Sequence, residues 1–376
     1  MTKAPRIPAS LPVSSPRLID AIVAPGLESI AKDELARLGA RDLEASPGVV
    51  RGRADDATLF RCNLGARTIT RLLEVVAEGP CRRFDELEKL AARVDWRRFG
   101  TRVGPIEVKA TASRSRLYHS GAIAERVEGV VKAALGASST GAPPLRVHVR
   151  VDTDVVTLSV DSSGDRLHRR GYRLDGAAAP LRETLAAGIL LLLEPGLATS
   201  DAPPSVFDPM CGSGTFPIEA AWMAMRRAPG LDVPLLCSTW PGLGDVAKRA
   251  SSELAGATRT LPMAVTGMDR NPLAVSAARA NAERAGVAVD WLEGDADWAH
   301  PGDTPPGLVI CNPPYGHRIG GADRVLPLLE RLAARFDGWR VAALWPGVPR
   351  AGWEERARLN NGGIRVSVVE WVRSRR

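Results

Sequence analysis

Cysteine is scarce in this chain and never paired. Cys62, Cys81, Cys211, Cys237 and Cys311 are scattered, with no C-x-x-C spacing among them. That pattern argues against a structural zinc, an iron–sulfur cluster or a disulfide framework, and it suits a reducing, cytoplasmic setting. No metal is expected. Long apolar runs are missing as well: the most apolar stretch, 188–193, is far too short to span a bilayer. Residues 1–16 are rich in Pro and Ser, include Lys3 and Arg6, and lack the apolar centre of a signal peptide. A loose tail is expected there, on a soluble protein. Internal repeats are absent.

What remains is an ordinary globular composition. With 376 residues, 45% of them hydrophobic and 25% charged, the chain can build two or three domains with proper cores. The net charge of +7 suits a polyanionic partner, although many basic proteins never meet nucleic acid.

Periodicity divides the chain near residue 164. In the first part (17–163), strand-like 18–23 precedes a helical pattern over 27–38 that Gly39 stops. A mixed pattern continues through 49–53, 59–64 and 69–77, a helix over 84–94, a strand over 106–111 and a helix over 123–135. The clearest strand follows: Leu145, Val147, Val149 and Val151 alternate with Arg146, His148 and Arg150. Asp152, Thr153 and Asp154 turn it into 155–160 as a hairpin. The whole reads as a compact α+β unit. In the second part (164–376), helices over 185–193, 216–226, 272–285 and 325–336 alternate with strands ending near Phe207, Met268, Cys311 and Trp345. Asn271 caps the third of these helices and Gly286 ends it. This alternation predicts an α/β, doubly wound, mostly parallel sheet, closed by an antiparallel hairpin around Asn361 and Gly363. Residues 229–260 read as a Pro/Gly-punctuated insertion.

In an open α/β sheet, ligands bind at the carboxyl ends of the strands. Asp208, Asp269, Asp295 and Asn312 fall at or just after four such ends. The run Asp208, Pro209, Met210, Cys211, Gly212, Ser213, Gly214, Thr215 forms a tight turn onto a helix N-terminus, suited to the carboxylate of S-adenosylmethionine. Asp208 is placed for that cofactor's amino group and Asp269 for its ribose hydroxyls. Asp295, with the backbone of Ala296, is placed for its adenine. A nicotinamide site is the rival, but the third glycine it needs is replaced by Pro217, and its acidic residue belongs about twenty residues on, far before Asp269.

Asn312, Pro313, Pro314 and Tyr315 complete the chemistry. An exocyclic NH2 is a poor nucleophile because its lone pair is delocalised into the ring. The Asn312 side-chain oxygen and the Pro313 carbonyl can each accept one N–H, which frees the lone pair, while Tyr315 stacks on a base turned out of its helix. Such a site needs no thiolate, so Cys211 and Cys311 read as packing residues. Between the two parts lie His168, Arg169, Arg170, Tyr172 and Arg173. These are suited either to gripping phosphates and stacking a base or to forming a solvated basic loop or an ion-pair site between domains, and spacing does not choose. The same holds for Arg114, Arg116 and the outward face of Arg146, His148 and Arg150; Arg318, just past the Asn-Pro-Pro-Tyr motif, is grouped with the RNA-facing cations. Trp222, Trp240, Trp291 and Trp298 read as core or rim packing, and Asp297 and His300 have no evident role.

These motifs together resemble the THUMP-domain RNA guanine-N2 methyltransferases, in particular the stand-alone bacterial form acting on 23S rRNA. The residues that carry the resemblance are 167–173 (Leu-His-Arg-Arg-Gly-Tyr-Arg), 179–186 (Ala-Pro-Leu-Arg-Glu-Thr-Leu-Ala), 208–215, 218–221 (Ile-Glu-Ala-Ala) and 312–316 (Asn-Pro-Pro-Tyr-Gly). It extends to 108–113 and the 147–161 hairpin. The resemblance implies a ferredoxin-like piece and a THUMP domain that grips structured RNA, then a Rossmann-like methyltransferase domain. It also implies that Pro180 and Thr184 line the cofactor pocket. The chain ends at Arg376 without the second methyltransferase module of some relatives, so one activity is expected. A tRNA guanine-N2 enzyme would look the same; a DNA adenine-N6 or protein amide methyltransferase shares Asn-Pro-Pro-Tyr but has no evident use for the first part. A non-catalytic RNA-binding protein is the remaining alternative.

Overall fold

Two seven-stranded sheets organise the computed structural model, which describes residues 16–100, 103–136, 140–174, 181–260, 263–313, 322–347, 351–361 and 363–372. The first half runs β1 (Arg17–Val23), α1 (Glu28–Arg37), β2 (Arg41–Ser46), β3 (Val49–Ala54), α2 (Asp56–Gly65), β4 (Ile69–Pro80), α3 (Phe84–Ala92), β5 (Ile106–Ser113), α4 (Ser120–Leu135), β6 (Leu145–Asp152) and β7 (Val155–Asp161). Its strand order is β2-β3-β1-β4-β7-β6-β5. Only β5 and β6 pair in parallel, which requires the crossover that α4 supplies. β4 is the hinge of this sheet. It pairs with β1 along its first part and with β7 along its second, with an irregularity between Val75 and Ala77, so two α+β pieces share one sheet. On β6 the valines are buried as the alternation predicts; on the opposite face Arg150 is exposed, whereas Arg146 and His148 are half-buried, Arg146 on Glu107 and the Gly164 carbonyl.

The second half contains α5 (Glu183–Leu193), α6 (Gly196–Thr199), β8 (Ser205–Asp208), α7 (Thr215–Ala224), α8 (Gly244–Gly256), β9 (Val265–Asp269), α9 (Pro272–Ala285), β10 (Asp290–Glu293), β11 (Gly307–Cys311), α10 (Ala322–Arg335), β12 (Arg340–Trp345), β13 (Trp353–Asn361) and β14 (Ile364–Trp371). Its order is β10-β9-β8-β11-β12-β14-β13. The first five are parallel and the last two form the expected antiparallel edge hairpin. From β8 the chain winds outward through β9 and β10, then returns to β11 on the other side. The β8/β11 boundary is therefore a topological switch point, where an open α/β sheet forms its crevice.

The halves are joined by packing as well as by chain. One core cluster runs from Ile19 of β1 to Val368 of β14. At Gly188 of α5 a Cβ would lie 2.4 Å from Leu27 Cδ1, so a larger residue there would have to displace the buried Leu27 side chain. The insertion read over 229–260 contains α8, whose Leu254 reaches the Gly65 end of α2. Ala250 is the one fully buried residue of α8, and Val246, Ala247 and Leu254 at helical spacing pack against the core, a pattern the insertion reading passed over. No helix among the described residues is long and apolar enough to cross a membrane.

Candidate active site

Asp208, Asp269, Asp295 and Asn312 stand at the carboxyl ends of four neighbouring strands. β8 ends at Asp208 and β9 at Asp269; Asp295 follows β10 by two residues and Asn312 follows β11 directly. Hydrogen bonds lock these ends together. The Gly212 N–H donates to Asp269 Oδ2 at 2.9 Å, the Asn271 N–H to Asp269 Oδ1 at 2.9 Å, and the Gly294 N–H to the Asp269 carbonyl at 3.1 Å. An ionised carboxylate has about four acceptor positions, so Asp269 keeps capacity for further donors. Asp295 turns its side chain onto the Asp297 N–H at 2.9 Å and starts a 3-10 turn that buries Ala296.

The glycine turn between β8 and α7 is built by exclusion. Gly212 (φ +54°) and Gly214 (φ +85°) occupy left-handed backbone, and Gly214 is the residue that starts α7. A Cβ on Gly214 would lie 2.6 Å from Trp291 Cη2 and 3.1 Å from Ala278 Cβ. Asn281 of α9 braces the turn by donating to the Ser213 carbonyl at 3.0 Å.

Two polar groups in this crevice lack partners that their burial demands. Asp208 is 2% exposed; one oxygen accepts the Met210 N–H at 3.0 Å, and no cation among the described residues pairs with it. Burial holds its carboxyl well above the usual carboxylate range. Asn312 Oδ1 is buried and accepts no hydrogen bond among the described residues. Leaving such an acceptor unsatisfied costs about 1–3 kcal/mol, so the site is poised for a cation at Asp208 and a donor at Asn312. Pro313 is buried beside it, whereas Pro314, Tyr315, Arg318 and Pro180 lie outside the described residues.

Cys211 and Cys311 are buried, and burial pushes both thiols far up, so neither supplies a thiolate at neutral pH. A thiol titration of the native protein should find all five cysteines unreactive on the minute scale, and all five reactive after denaturation. Rapid modification of Cys211 or Cys311 in the native state would reinstate a nucleophile.

The junction segment requires a correction. Arg170, expected as an RNA contact, is 2% exposed and forms a buried ion pair with Glu219 of α7, while its Nη2 donates to the Arg67 carbonyl at 2.5 Å. Tyr172 donates its hydroxyl to the same Glu219 at 2.9 Å and is buried too, so it stacks on no base. Arg173 is likewise committed inward, to Glu183 at 3.0 Å, the Leu181 carbonyl at 2.6 Å and Thr215 Oγ1 at 3.4 Å. Desolvation lifts the Glu183 carboxyl to about 7 despite that arginine. Of the readings left open, the ion-pair site is the one built for Arg170, Tyr172 and Arg173. Thr184, beside Glu183, is buried in the first turn of α5.

His168 is half-buried and Arg169 exposed at the surface of that segment. Arg114 and Arg116 are exposed at the far end of β6 from it, where Arg114 forks onto Asp152 at 2.9 Å. Trp298 was expected to pack; its ring is 76% exposed, whereas Trp222, Trp240 and Trp291 are buried. Asp297 acquires a role that sequence did not give it. Arg331 of α10 forks onto it at 2.8 and 3.0 Å, holding the loop after β10 against that helix.

A Rossmann-like sheet with a glycine turn after its first strand and Asn-Pro after the fourth defines the methyltransferase class. Comparison with known families agrees. Residues 19–73 match the RlmL ferredoxin-like domain, 81–161 the THUMP domain and 170–342 the RMKL-like methyltransferase domain. This chain carries all three of these domain types together. It is 34% identical over 354 residues to a ribosomal RNA large subunit methyltransferase K/L from Syntrophotalea carbinolica, covering 86% of this chain and 48% of that protein. A namesake from Chromohalobacter salexigens is 34% identical over 92% of this chain and 49% of its own length. The chain thus spans about half the length of the curated relatives it matches. Among solved structures, SMU.472, a methyltransferase crystallised with SAH, superposes with a TM-score of 0.86 at 26% identity, covering 96% of this chain and 100% of that one. A predicted N6-adenine-specific DNA methylase from Listeria monocytogenes gives 0.84 at 27% identity, over 96% and 97%.

Proposed function

We propose that the protein uses S-adenosylmethionine to methylate the exocyclic N2 of a guanine in 23S ribosomal RNA, free or in an assembling particle. The observation that carries this reading is the buried Oδ1 of Asn312 at the switch point of the sheet, without a hydrogen-bond partner among the described residues. Asn312 accepts one amine N–H and the Pro313 carbonyl the other, so the nitrogen lone pair is withdrawn from the ring and aimed. These acceptors stand ready before the substrate arrives, so little reorganisation is needed as the barrier is crossed. Tyr315 would stack on the base, and the released proton passes to water.

When bound, the cofactor supplies a methyl group on a cationic sulfur. Its ammonium matches the unpaired Asp208 carboxylate, and its carboxylate matches the turn of Pro209, Cys211, Gly212 and Gly214 at the start of α7 with Thr215. Asp269 would hold the ribose hydroxyls and Asp295 and Ala296 the adenine end, with Thr184 and Pro180 also lining the pocket. Gly214→Ala should lower cofactor affinity by more than about tenfold in calorimetry. The left-handed backbone alone costs about 1–2 kcal/mol with a Cβ, and the Trp291 ring must also move.

The THUMP match and the relatives' ribosomal name favour RNA over the DNA named for the Listeria protein. The test is transfer of labelled methyl to 23S rRNA, tRNA and DNA offered in competition. Label in 23S rRNA supports the proposal, label in tRNA moves the substrate within the class, and label in DNA alone overturns it.

A further inference from the structure

Beside the inward-facing arginines of the junction lies a second, outward-facing set. The turn at 166–170 is pinned by Leu167, buried and donating its N–H to the Thr70 carbonyl at 3.0 Å, and by Arg170 in its buried pair. Arg166 and Arg169, the ends of one hydrogen-bonded turn (2.8 Å), are left exposed. Arg173 reaches the Leu181 carbonyl at 2.6 Å and so draws the exposed Arg182 toward the same place. None of these three guanidiniums pairs with a carboxylate among the described residues. Among the described residues the acids at this segment are occupied or peripheral: Glu183 answers Arg173, and the exposed Asp165 lies 3.9 Å from Arg146. Enclosed by them is His168, whose Nδ1 is buried without a partner among the described residues. Burial and then Arg182, Arg166, Arg173 and Arg169 push its imidazole down to about 4, so it is neutral and can still donate or accept.

Like charges gathered round a polar atom with no partner cost the fold and return nothing to it. A polyanion relieves both. We infer that Arg166, Arg169 and Arg182, around His168, form an anchor for RNA backbone phosphates at the entrance to the methyltransferase half. Guanidinium forks match phosphate oxygens. Arg182 lies two residues before Thr184, and Arg173 spans to Thr215, so the anchored phosphates flank the nucleotide presented to Asn312. This inference rests on RNA being the substrate.

The test uses the full chain carrying Arg166→Ala, Arg169→Ala and Arg182→Ala, with rRNA binding measured by filter retention at several salt concentrations. Three lost phosphate contacts should shrink the slope of log affinity against log salt by about 2–3 and lower affinity more than tenfold at low salt. Replacement of the three by lysine should recover most of the slope, while calorimetric cofactor affinity holds in both variants. An unchanged salt slope in the alanine variant overturns the anchor, as does a loss confined to the cofactor. If the parent protein itself neither binds nor methylates RNA, the RNA reading fails first and takes the anchor with it.

Discussion

Asn312→Ala should reduce methyl transfer by about 10²–10³-fold with cofactor affinity nearly intact. The reasoning is differential. Oδ1 accepts no hydrogen bond among the described residues, so its bond to the amine is expected to form only with substrate in place, and its loss falls on the reacting complex. Asp208, Gly212 and Gly214 stand on a different strand end and keep their hydrogen bonds in this variant. Single-turnover transfer and calorimetry on the same preparation separate the two effects. Should cofactor affinity collapse in parallel with transfer, Asn312 would belong to the cofactor's cradle and the assigned division of labour would be wrong.

Glu219→Ala is expected to be the most damaging substitution to stability. It strips the partner from a fully buried arginine and the acceptor from Tyr172, and an orphaned buried charge costs about 3–5 kcal/mol. The damage spreads because Arg170 also holds the Arg67 carbonyl, and Arg67 is itself buried, donating to the carbonyls of Trp222 (3.2 Å) and Arg227 (2.6 Å). Glu34 of α1 closes the chain by accepting the N–H groups of Arg67 (2.8 Å) and Thr68 (3.0 Å). One acid on α7 thus ties the first half to the helix whose N-terminus is the glycine turn. A lower denaturant midpoint is expected, with weakened cofactor binding; Glu219→Gln, which keeps the acceptor for Tyr172, should lie between. A midpoint within experimental error of the parent would show that the pair is dispensable.

Much of this was legible in the residues because local chemistry dictated it. Asn271 caps α9 by accepting the Leu273 N–H at 3.1 Å, Pro272 occupies its first position, and Gly286 ends it at φ +66°. The alternation of β6 and the four strand ends were readable for the same reason: each is set by periodicity or by a turn within a few residues. The distinction between Arg169 and Arg170 was not. They are neighbours in an irregular segment with no period, and Arg170 is buried only because Glu219, far along the chain, waits inside. Short polar edge strands such as β2 (Arg41–Ser46) and β10 (Asp290–Glu293) also escaped, since they bury too little apolar surface to leave a pattern. Trp298 escaped in the opposite sense, an aromatic that the fold leaves in solvent.

The central claim is that the orphaned acceptor at Asn312 waits for the amino group of an RNA guanine. Its most direct test is mass spectrometry of nucleosides from 23S rRNA of a strain lacking the gene, after incubation with the purified protein and S-adenosylmethionine. N2-methylguanosine is expected from the parent and only a trace from Asn312→Ala. Methylated adenine in its place, or no methylated nucleoside while calorimetry shows the cofactor bound, would contradict it.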